Sequence, residues 1–206
     1  MFAYHSDPKI KSKYVRRVEA HRKADELQQG VGWETNGVTR GCAVGCTFDN
    51  YDHSRGPVEI GVPEVLMRLE DVIFEGLPKK DAMAWPTAFL KAIPVDADLS
   101  RVHYQFRAWL MLESGLLTVT DDNRKAILDV GQLNQRAASN DIPPQSEWSA
   151  AESAAESAAL AESAAAAESA AARSAESAAW KKMAARLLDL LSTAPQPPKE
   201  PPCQPK

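Results

Sequence analysis

Between Trp148 and Trp180 the chain carries a single bulky apolar residue, Leu160, in a run made mostly of alanine, serine and glutamate. Such a run cannot remove enough apolar surface from water to fold around itself, so a packed body is expected from the first 142 residues, which carry most of the Trp, Phe, Ile, Val and Leu. Alanine loses no side-chain entropy in a helix, and the run therefore predicts one long helix from Ser146 to about Ser192. About 46 residues at about 1.5 Å each would extend roughly 70 Å. The last third changes character: Trp180, Met183, Leu187 and Leu190 or Leu191 recur at helical spacing and predict a seam that docks on the body or on a second copy. Pro195 to Lys206 holds six prolines in twelve residues and reads as an extended, unpacked tail, with Cys203 incidental within it.

The expected organisation is a globular domain over 1–142, a long Ala-rich helix over 143–194 and a disordered Pro-rich tail over 195–206, in a mainly α fold with one small β-hairpin. Net charge is −4, and the six glutamates and one arginine between Glu147 and Ala179 leave the rest of the chain at +1. Bulk attraction to nucleic acid is not expected from that balance. No apolar run approaches the roughly 18 residues of a membrane span, and Met1 to Pro8 has no signal core, so a cytoplasmic protein without a membrane anchor is expected.

Within the body, Asp7-Pro8 predicts a capped helix over about 8–28 with Ile10, Tyr14, Val18, His21 and Asp25 on one face. Its other faces carry seven lysines and arginines, read as a solvated surface or a contact for an acidic partner. Asn36-Gly37 predicts a hairpin between Trp33 and Val38 that delivers the segment Gly41-Cys42-Ala43-Val44-Gly45-Cys46. Residues 47–61 read as a polar loop carrying His53. A helix then opens after Pro63, another follows Asp81 to about Ile93, and a third covers Ser100 to Glu113. Leu116 to Thr120 reads as extended, and Asp121 or Asp122 caps a helix to about Ala138. Glu70, Asp71 and Glu75 read as surface carboxylates, and His103 as structural.

Spacing of four puts Cys42 and Cys46 on one side of the backbone, so both sulfurs can act on one object, while Gly41 and Gly45 leave room for a neighbouring backbone, a ligand or a metal. Three readings stay open. In a thiol enzyme Cys42 or Cys46 is the nucleophile, His21 the base, Asp25 its orienting carboxylate and Gln28 an amide donor for an oxyanion. That reading needs no cofactor; the alternative is zinc, held by Cys42, Cys46 and one or two of His5, His21 and His53. In the third reading both cysteines are small buried apolar residues.

At Ala3-Tyr4-His5, Ala20-His21-Arg22, Gly41 to Thr47, Leu69-Glu70-Asp71, Ile73 to Pro78 and Phe89 to Pro94 the chain resembles a group of uncharacterised bacterial and phage-encoded proteins. The resemblance covers roughly residues 3 to 100, and Trp180-Lys181-Lys182-Met183 looks like the end of appendages in the same group. It implies a shared body and lends no mechanism. The expected function is a protein-binding or assembly factor that reaches a protein partner, or a second copy, through Trp180, Met183, Leu187, Leu190 and Leu191.

Overall fold

The computed structural model describes residues 2–35, 37–113, 121–151 and 170–198, with the side chains of 121–123 and 170–174 excepted. The architecture is mainly helical with one two-stranded antiparallel sheet. Helix α1 spans Pro8–Lys23: the Asp7 side chain accepts a hydrogen bond from the Lys9 N–H (2.7 Å), and proline fills the first turn, where its missing donor costs nothing. Tyr14 and Val18 face the core, and the Tyr14 hydroxyl donates to Glu59. The helix stops at Lys23 because Asp25 adopts a left-handed conformation (φ 58°), which aspartate tolerates better than most residues. The expected continuation to residue 28, and with it the placement of Asp25 below His21, is therefore corrected.

Strands β1 (Trp33–Glu34) and β2 (Arg40–Gly41) pair Trp33 with Gly41 and Glu34 with Arg40, around a wider loop than the Asn36-Gly37 turn implies. Gly37 is left-handed (φ 83°), and Asn36 lies outside the described residues. The ribbon ends before the thiols. Cys42 caps a short helix α2 (Ala43–Phe48), all of it buried, and Cys46 lies inside that helix. Gly56–Ile60 forms a single π turn that buries Ile60.

Helix α3 (Glu64–Gly76) buries Leu66, Met67, Ile73 and Phe74 as its apolar stripe requires, and it also turns Glu70 and Asp71 inward. The expected helix from Asp81 to Ile93 is instead two pieces, α4 (Lys79–Ala82) and α5 (Trp85–Ala92), with Pro86 in the first turn of the second. Helix α6 (Val102–Leu112) packs mainly against α7 (Asp121–Ala138). Residues 145–151 are helical (α8), as are Ala170–Ser192 (α9). The expected strand at Leu116 to Thr120 and the middle of the long helix, with Leu160, lie outside the described residues.

The seam of α9 belongs to the body. Leu187 and Leu191 are fully buried in the same cluster as Phe74, Phe89 and Phe106, and α9 touches α3, α5 and α6. Trp180 lies so close over Gly76 that a Cβ there would fall 2.1 Å from the indole, which explains glycine at the end of α3. Lys181 pairs with Asp81 (3.0 Å). Docking on the body is one of the two expectations for this seam, and the core cluster includes it. The tail is anchored where it begins: the Pro195 carbonyl accepts from the Asp98 N–H (2.7 Å) and the Gln196 amide donates to the Val95 carbonyl (2.6 Å). At the other end Tyr4 is buried, its hydroxyl on the Leu90 carbonyl (2.6 Å). No described helix is long and apolar enough to cross a membrane.

Candidate functional site

The two thiols are built into the core. The Cys42 Sγ accepts from the Gly45 N–H (3.4 Å), while the Cys46 thiol donates to the Gly41 carbonyl (3.4 Å), and the side chains are at most 1% exposed. The glycines between them serve backbone packing: a Cβ at Gly45 would fall 2.0 Å from the Gly32 carbonyl oxygen, and one at Gly41 would meet the Trp33 ring at 2.7 Å. Burial pushes the Cys42 thiol well above its ordinary range, with the neighbouring Asp71 carboxyl adding to the effect against the Gly45 N–H. Burial also raises Cys46, to about 12, with Glu26 and Asp49 contributing. A nucleophile or metal ligand needs thiolate, which this environment disfavours.

The imidazole expected to activate them is already engaged on both sides. His21 Nδ1 lies 2.5 Å from Glu26 Oε2 and Nε2 lies 2.9 Å from Asp49 Oδ1, with Arg17 closing the group on Asp49 (3.2 Å). Glu26 and Asp49 orient the ring, not Asp25, and its edge packs on Trp33. His5 contacts the Val58 carbonyl (3.0 Å), and His53 contacts Asp71 Oδ2 (3.3 Å). Asp25 and Gln28 line a different cleft from either thiol. Among the described residues, no group of three or more His, Cys, Asp and Glu side chains converges as a metal ion requires.

What the fold does bring together is a cleft of about 360 Å³ lined by Gly30, Val31, Gly32, Cys42, Tyr51, Asp71 and Glu75. Asp71 and Glu75 sit one turn apart on α3, a spacing that puts both carboxylates on one face. Asp71 Oδ2 accepts from the Tyr51 hydroxyl (3.0 Å) and faces His53, while Oδ1 is buried and has no hydrogen-bond partner. The Tyr51 ring stacks edge-on with His53 and covers Gly32, where a Cβ would fall 2.8 Å from it. Desolvation and then Asp71 push the tyrosine hydroxyl up to about 12, which keeps it a donor. Glu75 Oε2 accepts from the Gly30 N–H (2.7 Å), and its pKa is raised by partial burial, against that N–H, and by Asp71.

Behind this wall lies Glu70, completely buried, with neither carboxylate oxygen hydrogen-bonded. Burial, reinforced by Asp71, raises its pKa well above the ordinary carboxylate value, which favours the neutral acid over the charged form. The correction of Glu70 and Asp71 from surface to interior is the part of the site that spacing alone missed. Its signal was the pair of adjacent carboxylates, Glu70-Asp71, placed between the apolar positions Leu66 and Ile73. Among the described residues no lysine or arginine lines the cleft, so its two carboxylates face it with only His53 beside Asp71. No protein-family model matches the chain, and no curated protein or solved structure matches it.

Proposed function

We propose that the chain is a protein-binding module that takes a lysine or arginine side chain of its partner into the cleft between the Gly30–Gly32 backbone, Tyr51 and the α3 carboxylates. The observation that carries this reading is Asp71 Oδ1: a buried acceptor without a partner, on the wall of an open cleft. A buried carboxylate oxygen left without a donor is costly, even where its twin accepts from Tyr51, and a guanidinium or ammonium group is the donor that offsets the cost best. Glu75 adds a second negative charge, and the half-exposed Tyr51 ring offers a face to the same cation. The thiol-enzyme and zinc readings draw no comparable support, because the sulfurs are buried and each candidate histidine already has its own neighbour. Partner contact through Trp180, Met183, Leu187, Leu190 and Leu191 would first require withdrawing these residues from their packing on the body.

The test is titration of the full chain with N-acetyl-arginine amide, N-acetyl-lysine amide and N-acetyl-glutamate amide, following the amide resonances of Gly30, Val31 and Gly32. The two cations should shift these signals saturably and the glutamate derivative should not. A hydrogen bond to a charged group is worth about 1.5 to 3 kcal/mol, so Asp71→Asn should weaken the response at least about ten-fold while the chain still unfolds cooperatively. Unmoved resonances with both cations, or an undiminished response in Asp71→Asn, would overturn the reading.

A further inference from the structure

Asp25 and Gln28, both without a role at the thiols, line a second cleft of about 390 Å³ together with Leu27, Arg40, Lys79 and Met83. The segment 25–32 separates the two clefts: its first half lines this one and Gly30 to Gly32 line the acidic one. That segment is pinned between them. The Gln29 side chain donates to the carbonyls of Phe74 (2.7 Å), Glu75 (3.2 Å) and Leu77 (2.8 Å) at the end of α3, and the Gln28 N–H donates to the Gly41 carbonyl (2.9 Å). Both walls are therefore fixed before any ligand arrives.

The charge in this second cleft has the opposite sign. Arg40 and Lys79 form no ion pair or side-chain hydrogen bond among the described residues, and the Gln28 amide is equally free of a partner. Several other cations of the body are matched, Arg17 with Asp49, Arg55 with Glu59, Lys91 with Glu19, and Arg136 with Asp141 and Glu147, whereas Arg40 and Lys79 converge on one cleft without such a partner. We infer that this cleft binds the phosphate monoester of a hydroxylated small molecule, with Arg40, Lys79 and the Gln28 amide as donors to the phosphate and Asp25 as acceptor for a neighbouring hydroxyl. The guanidinium fork suits two phosphate oxygens at once, and lysine adds a point charge. The volume exceeds what a bare phosphate fills, and Leu27 and Met83 supply apolar wall for the body of the ligand. This site is independent of the acidic cleft, and neither result decides the other.

Calorimetric titration of the full chain at low salt with glucose 6-phosphate, inorganic phosphate and glucose tests it. Glucose 6-phosphate should bind saturably, more tightly than inorganic phosphate, and glucose should give no binding. Arg40→Gln and Lys79→Gln should each weaken the ester at least about ten-fold, equivalent to about 1.4 kcal/mol. Asp25→Asn should weaken the ester and leave inorganic phosphate unchanged or tighter. All three side chains are exposed, so these variants leave the core intact, and Lys80→Gln next to the cleft serves as the control that should bind normally. Absence of saturable binding by the ester overturns the inference. So does inorganic phosphate binding as tightly as the ester, or Lys80→Gln weakening binding as much as Lys79→Gln, which would mark a diffuse field and not a site.

Discussion

Glu70→Gln should make the protein more stable at neutral pH, by an amount that grows as pH rises. In the folded chain the Glu70 carboxyl is fully buried and its pKa is raised by that burial, while in the unfolded chain it titrates near the ordinary 4.5. Below that value both states hold the proton and the group contributes no pH dependence. Above it the unfolded state releases the proton and the native state keeps it, so fewer protons are bound on unfolding and stability falls with a slope of about 1.4 kcal/mol per pH unit, until the folded pKa is passed. Each pH unit crossed in that window is a large share of the total for a domain of this size. Glutamine keeps the shape and removes the ionisation, so subtracting the two urea-unfolding curves, read by tryptophan fluorescence, cancels the titrations of groups not coupled to Glu70. The difference should be small near about pH 4 and grow in favour of the variant as pH rises, by at most about 1.4 kcal/mol per pH unit. Glu70→Met, which also removes the two unpartnered oxygens, should be at least as stable as Glu70→Gln throughout. A difference that does not change with pH, or a variant that is less stable at neutral pH, would refute the reasoning.

Gly45→Ala should destabilise the fold by about 3 kcal/mol or more in chemical denaturation, because its Cβ meets the Gly32 backbone and not a yielding side chain. Cys42 and Cys46 should resist iodoacetamide at about pH 8 in the native protein and react once guanidinium unfolds it; rapid native labelling of either would contradict the burial that raises both thiols. Leu187→Ala should cost about 2 to 5 kcal/mol by opening a cavity in the core, and a chain truncated at Pro144 should lose its sharp thermal transition, since it removes α9 from the core shared with α3, α5 and α6. A truncated chain that melts as sharply as the whole would show that 170–194 is an appendage after all.

The sequence by itself determined the helical class, the small sheet and most helix starts, because these follow from local chemistry. Asp7-Pro8 caps α1 whatever surrounds it, and the stripe Leu66, Ile73 commits α3 to a buried face. The close-packed glycines Gly41 and Gly45 were legible as a place where something approaches the backbone, but which of three partners approaches depends on contacts distant in sequence. Only the tertiary structure decided that Gly32 and Trp33 fill that space, and that His21 is held by Glu26 and Asp49. It also brought Tyr51, Asp71, Glu75 and Gly30 to Gly32 around one cleft. The physical reason is the same in each case. A cap or an apolar period is an interaction between near neighbours, whereas a cleft is made where segments some 20 to 45 residues apart meet, as in the Gly30 to Glu75 bond. Helical period assigns a carboxylate to a face, but only packing says whether that face meets water or the protein interior, and Glu70 met the interior.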